Sequence, residues 1–356
     1  MLDRKSLVRK YNPVLTKADV TSPLTVGNGC FAFTADVTGL QTLWDAYETH
    51  SPLLTQADFG WHSAPDDEGR FFKPSDVEMT KYDFNGRTVE YAIEPQPGNE
   101  HVFDWLRKNQ HRLNLMRVRL FRNGKAVSEA ELSGIHQELD LFTGILTSRF
   151  TLQGAEYTVK TVAGDSDTLG FSVSSPAGLS EITVEIDFPY GSHEITASDF
   201  SKPEAHKTEV IGASVDGKTL RILHTLDRDA YVADFSADGS VSLTGAHTVS
   251  VKPDGGNMLS AAVTWAPGNE RSAANIGKAA GFVLCENLPN PAKTFADVEK
   301  ESVLRYEKYW MQGGIVDVSK SEDPRAEELE RRIILSMYLT AVQSSGHTPP
   351  QETGLT

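Results

Sequence analysis

Cysteine is nearly absent: Cys30 and Cys285 are the only two in 356 residues. They lie far apart among apolar neighbours, which excludes a disulfide framework and predicts two free thiols in a reducing compartment. Long apolar runs are missing as well. The best, residues 333–342, is half of the ~20 residues a membrane helix needs and includes Ser336 and Thr340, so no membrane span is expected. The opening MLDRKSLVRKYNPV has no apolar core region and does not read as a signal peptide, which predicts a cytoplasmic product. Positive charge is in deficit, with 34 basic against 49 acidic residues and a net charge of −15, which argues against nucleic-acid binding. The basic opening Arg4, Lys5, Arg9 and Lys10 reads as a solvated helix face.

The signatures of several chemistries are missing too. No HExxH, paired CxxC or EF-hand loop occurs, and the ten histidines are scattered singly, so no metal or cofactor is expected. There is no GxSxG nucleophile elbow and no Walker loop. The glycine motif VGNGCFAF, residues 26–33, has no helix after it and reads as a tight strand-entry turn.

What is abundant is antiparallel β pattern, from about Val14 to Leu284. Asn85-Gly86, Asn123-Gly124, Asp216-Gly217 and Asp238-Gly239 each supply the turn chemistry of a two-residue hairpin. Strands flank them with clear alternation, as in Leu220, Ile222 and His224. Some 270 residues of this kind predict a very large two-sheet sandwich. Residues 59–107 break the regularity with loop-like excursions rich in Trp, His, Pro and Asp, the usual place for function on a rigid sandwich. Within them, TQADFGWHSAPDD sets aromatic rings among hydrogen-bonding groups, a composition suited to a pyranose ring.

Two helices follow a linker at NLPNPAK. Thr294 and Asp297 form a capping box ahead of TFADVEKESVLRYEKYWMQ, with Phe295, Val298, Ser302, Tyr306 and Trp310 on one face and Gly313-Gly314 at the end. A short strand-like piece, IVDVS, leads on. The last helix is expected to start at Asp323-Pro324 and to be capped by Gly346. Its apolar residues Ala326, Leu329, Ile333, Met337 and Ala341 keep helical spacing, but Ile334, Leu335, Tyr338, Leu339 and Val342 fill the other faces, so it requires neighbours on every side. In the closing loop HTPPQETGLT a diproline stiffens the position of Gln351 and Glu352.

The segments SPLTVGNGCFAFTADVTGLQT, TQADFGWHS, QELDLFTGILTSRFTLQG and above all DPRAEELERRIILSMYLTAVQSSGHTPPQETGLT resemble bacterial proteins of glycoside hydrolase family 65, among the six-hairpin glycosidases. The resemblance implies a galactose-mutarotase-like β-supersandwich over 1–287, a helical linker over 288–320, and over 321–356 the first helix of an (α/α)6 barrel that is otherwise missing. It further implies an inverting hydrolase or phosphorylase acting on an oligosaccharide or glycoside, with inorganic phosphate as an alternative acceptor and homo-oligomers allowed. The catalytic acid would lie beyond Thr356, so no catalytic residue is assigned here and the chain alone is expected to be inactive. Gln351 and Glu352 would border the barrel mouth, and Trp61 and His62 would reach over it. Two other readings stand beside this one. One is a non-catalytic carbohydrate-binding sandwich. The other is a mutarotase-like epimerase drawing on His136, His193, His206, His224 and Glu138.

Overall fold

The computed structural model describes residues 2–92, 94–95, 97–274, 292–347, 350 and 354–356. The chain is mainly β. Nine antiparallel strands form the larger sheet, in the order Val14–Leu15, Leu132–Asp140, Ile145–Leu152, Ala155–Ala163, Thr168–Ser174, Met258–Pro267, Asp229–Ala237, Thr219–Leu226 and His206–Ala213. Five form the second, in the order Lys125–Ala126, Arg117–Arg122, Ile182–Asp187, Thr248–Lys252 and Ser240–Leu243. The core between them takes the inward residue of each alternating strand, for example Leu220, Ile222 and Leu226 from one sheet and Val184 and Ile186 from the other. A small sheet of Leu24–Gly27, Phe31–Ala35 and Thr55–Ala57 joins the same core through Phe31 and Phe33.

Asn85-Gly86 and Asn123-Gly124 turn their hairpins with both residues at positive φ, and Asp216-Gly217 closes a third. Asp238-Gly239 does not. The strand before it pairs within the nine-stranded sheet and the strand after it within the five-stranded one, so this turn is a crossover between layers. The local chemistry is that of a hairpin, but a β-carbon on Gly239 would collide with the Lys252 carbonyl, and that close approach is what the glycine serves.

Among the described residues six α-helices complete the fold: α1 (Arg4–Arg9), α2 (Trp44–Tyr47), α3 (Glu100–Lys108), α4 (Glu270–Ala274), α5 (Phe295–Gln312) and α6 (Ala326–Gln343). The expected capping box opens α5, with the Thr294 amide donating to Asp297 (2.9 Å) and the Asp297 amide donating to Thr294 Oγ1 (3.3 Å). Its buried face consists of the five residues expected. It lies across the outer face of the large sheet, where Tyr306 donates to the Gly27 carbonyl (2.8 Å) and Trp310 Nε1 to the Leu141 carbonyl (2.6 Å). Burial of each such aromatic contributes about 2 kcal/mol. The basic opening is a helix, as expected, but not merely a solvated face: Arg4 donates to the carbonyls of Trp310 and Gly313, capping the end of α5, and Arg9 pairs with Asp140.

α6 differs from expectation at both ends. Asp323 and Pro324 form a turn in which the Asp323 carboxylate accepts from the Arg325 amide (2.8 Å), so the helix begins at Ala326. It ends at Gln343 with Ser344, not Gly346, as its cap. IVDVS forms no strand among the described residues; the Val318 amide donates instead to the buried Glu330 (2.6 Å), which also accepts from Tyr11 (2.6 Å). Glu330, Ile334, Tyr338 and Val342 face the sandwich, while Leu329 and Leu339 are 54% and 48% exposed and Ile333, Leu335 and Met337 are half-buried. The VGNGC turn is the seat of this helix. Gly29 has φ +92° and donates its amide to the Val342 carbonyl (3.0 Å), and a β-carbon there would meet Ser345.

Candidate functional site

The irregular residues 59–107 hold more order than their composition suggested. Residues 100–108, read from sequence as loop, form α3, whose Val102 and Phe103 are buried with Val77. Trp105 on this helix donates its indole N–H to the Ala64 carbonyl (2.9 Å) and meets Phe72 edge to face at 5.5 Å. Phe71 lies under the Arg228 guanidinium, 3.6 Å from ring to cation. Together with Ser63 and Arg271 these residues line a cleft of about 610 Å³. Half-buried aromatic faces beside arginine donors suit the C–H faces and hydroxyls of a sugar.

The cleft is aromatic and basic in its lining. Among the described residues its lining carries no carboxyl group, and the two carboxylates next to it are already committed. Asp229 pairs with Arg271 (2.8 Å) and accepts from the Ser63 amide (3.3 Å). Asp227, in the turn before the Asp229–Ala237 strand, accepts from Tyr190 (2.5 Å) and faces His62 Nε2 at 3.0 Å. Burial alone would push Asp227 up, but the hydrogen bonds from His62 and Tyr190 hold it below the usual carboxylate range. Inverting hydrolysis needs two free carboxyls about 6.5–9.5 Å apart.

Trp61 and His62 form a short strand paired with His111–Arg112. Trp61 is half-buried and donates its indole N–H to the Asp58 carbonyl (3.1 Å). His62 is fully buried, with both ring nitrogens occupied. His111 Nδ1 donates to the Lys108 carbonyl (3.1 Å), and burial with the neighbouring His62 lowers His111 to about 4, so its Nε2 is bare. That nitrogen accepts from His62 Nδ1 (3.0 Å), while His62 Nε2 stands 3.0 Å from the Asp227 carboxylate. Gln351 and Glu352 lie outside the described residues, as does Cys285; Cys30 is a free thiol.

A second polar cluster sits where α6 ends. Asp58, in the same TQADFGWHS segment as Trp61, is buried, and among the described residues its Oδ2 has no hydrogen-bond partner. Burial raises Asp58, and burial together with the Asp58 charge raises Asp167 well above its ordinary value and the Cys30 thiol to about 12. Sequence pattern gave no sign of this pairing.

The histidines are not scattered in space. His62 and His111 touch, His62 stacks edge to face on Tyr190 (5.1 Å), and His206, His224 and His247 gather on its other side. Of the residues considered for epimerisation, His206 and His224 come together with a third histidine and not with a glutamate. His136 lies 4.0 Å from Glu138 on one strand, both half-buried, and His193 is on the surface beside Glu194.

No protein-family model matches the sequence, and none of the curated proteins does. Among solved structures the chain is similar to a protein from the human microbiome provisionally assigned as a kojibiose phosphorylase. The TM-score is 0.56 at 12% identity, over 97% of this chain and 44% of that one. Two structures of a family GH92 α-mannosidase from Bacteroides thetaiotaomicron, one bound to mannoimidazole, give a TM-score of 0.36 at 8% identity. They cover 95% of this chain and 40% and 41% of theirs. The likeness is one of fold, and the chain spans less than half the length of these proteins. No helix among the described residues is long and apolar enough to cross a membrane.

Proposed function

We propose that this chain is the sandwich (1–287), helical linker (288–320) and first barrel helix (321–356) of a carbohydrate-active enzyme, an inverting glycoside hydrolase or phosphorylase. Its catalytic acid is carried on residues beyond Thr356. The observation that carries this reading is the outer side of α6, where Leu329 and Leu339 stand exposed and Ile333, Leu335 and Met337 half-covered on a helix whose opposite side is anchored in the sandwich core. A further layer of helices would cover them. The similarity in fold to a protein assigned as a kojibiose phosphorylase supports the same architecture.

In that arrangement Gln351 and Glu352 border the barrel mouth, Trp61 reaches toward it, and His62 anchors the Trp61 strand from behind. Asp58 and Asp167 join this seam from the sandwich side. A sugar-release assay on α-linked disaccharides, with and without inorganic phosphate, tests the assignment: no turnover is expected from this chain alone, and clear turnover overturns it. The cleft of Phe71, Phe72 and Trp105, with no carboxyl in its lining, favours a second reading of the chain as a sugar-binding sandwich. On that reading Phe71→Ala weakens glycan affinity about threefold to tenfold in calorimetry, the worth of one aromatic contact.

A further inference from the structure

We propose that His206, His224 and His247 form a binding site for a borderline divalent cation of the Zn2+ class, which clamps the edge of the large sheet to the turn before the Thr248–Lys252 strand. The inference is independent of the sugar chemistry proposed above. The three rings come from three places: His206 and His224 from the last two paired strands of the nine-stranded sheet, and His247 from the turn entering a strand of the five-stranded sheet. Their donor atoms all lie within 4.8 Å of one another.

Hydrogen-bond bookkeeping leaves the neutral cluster one positive donor short. The Pro203 carbonyl must accept from His247 Nε2 (2.8 Å), which leaves His247 Nδ1 bare to accept from Thr208 (2.9 Å). The Thr208 hydroxyl, having donated, accepts from His224 Nδ1 (2.7 Å). His224 Nε2 is then bare as well, yet it stands 3.2 Å from the Pro189 carbonyl and 3.2 Å from His206 Nδ1. A proton on His206 Nδ1 satisfies one of these contacts and leaves lone pair facing lone pair in the other. The other neutral assignment moves the conflict to the Pro203 carbonyl. With all rings neutral, one acceptor–acceptor contact always remains.

A proton on His224 or His247 would remove the conflict, and so does a cation held among the three ring nitrogens, one of which belongs to the fully buried His224.

The geometry fits imidazole ligation. Metal–nitrogen bonds of about 2.0–2.1 Å in a tetrahedron place two donor nitrogens about 3.3 Å apart, close to the 3.2 Å between His206 Nδ1 and His224 Nε2. His247 stacks on His206 at 3.8 Å with its donor atom within 4.8 Å of the other two, and the Pro189 carbonyl, 3.2 Å from His224 Nε2, or water supplies a fourth position. The outer partners that metal-bound histidines require are present, Thr208 on His224 and the Pro203 carbonyl on His247. His206 and His247 are half-buried, so an ion can enter.

Zn2+ and Co2+ titrations of the whole chain test this, read by calorimetry and by the visible absorption of bound cobalt. The expected result is one equivalent bound with the intense bands of four-coordinate cobalt. His206→Ala and His247→Ala should each weaken binding at least about tenfold, and Thr208→Val about 10–100-fold through lost ring orientation. His136→Ala, outside the three-histidine cluster, should leave affinity unchanged. Circular dichroism of each variant separates site loss from unfolding. Absence of one-equivalent uptake by the wild type overturns the site, as does affinity unaltered by both His206→Ala and His247→Ala, or an octahedral cobalt spectrum.

Discussion

Replacing Gly144 with alanine strikes the seat of α5 directly. Gly144 lies in the turn between two neighbouring strands of the large sheet, at φ +71°, and its amide donates to the Asp140 carbonyl (2.7 Å). A β-carbon there would fall inside contact distance of the Tyr306 ring and 2.8 Å from Ser302 Oγ, whose hydroxyl donates to the Thr143 carbonyl (2.9 Å). Two costs add. Holding alanine in the left-handed region costs about 1–2 kcal/mol, and forcing an extra carbon into a packed contact costs about 1–3 kcal/mol. Gly124→Ala supplies the control, because its φ is +73° and nothing lies within 4 Å of the added carbon. Urea unfolding should therefore show Gly144→Ala losing about 2–5 kcal/mol and Gly124→Ala about 1–2 kcal/mol, with similar slopes. Equal losses would mean that Tyr306 does not press on the turn, and the docking of α5 described here would be wrong.

Leu329→Lys combined with Leu339→Lys should reduce self-association in light scattering while changing unfolding free energy by no more than about 0.5 kcal/mol, since both residues face solvent. A loss above about 2 kcal/mol would show that they are covered. Asp36 offers a pH test. It is buried, and burial raises it from 3.8 to about 6 despite hydrogen bonds from Thr38 and Leu43. The folded state therefore binds the proton more tightly than the unfolded one, so the contribution is complete below pH 3.8 and is lost as pH rises through 6. Relative to Asp36→Asn, which does not titrate, the wild type should lose about 2–3 kcal/mol of stability between pH 4 and 7, at 1.36 kcal/mol per unit. A pH-independent difference would contradict this.

The legibility of these features in the sequence followed how local they are. α5 was readable to the residue because its cap, its 3.6-residue stripe and its terminal glycines lie within twenty positions. Asn85-Gly86 was readable because a type I′ turn depends on its own two residues. Asp238-Gly239 misled because the choice between hairpin and crossover is made by which sheet receives the next strand, a long-range matter. α3 escaped because its nine residues carry a short apolar stripe between a Pro-Gly turn and a charged end. The start of α6 moved by two residues because the Asp323 carboxylate closes a turn on Arg325 in place of capping the helix. The histidine cluster could not be read at all: residues 62, 111, 206, 224 and 247 share no spacing, and only strand pairing and a crossover bring them together. The aromatic loop was recognised as a site of interest, but His62 turned inward to Asp227, and the aromatic lining of the cleft belongs to the half-buried Phe71, Phe72 and Trp105.

The intact mass of the native product in its source cells, measured by immunoblot with antibodies to this sandwich, tests the central claim most directly. The account predicts a polypeptide roughly twice the 39.0 kDa of this chain, because the chain spans 44% of the structure whose fold it shares. A single native species at 39.0 kDa, monomeric and with the outer face of α6 in water, would contradict it.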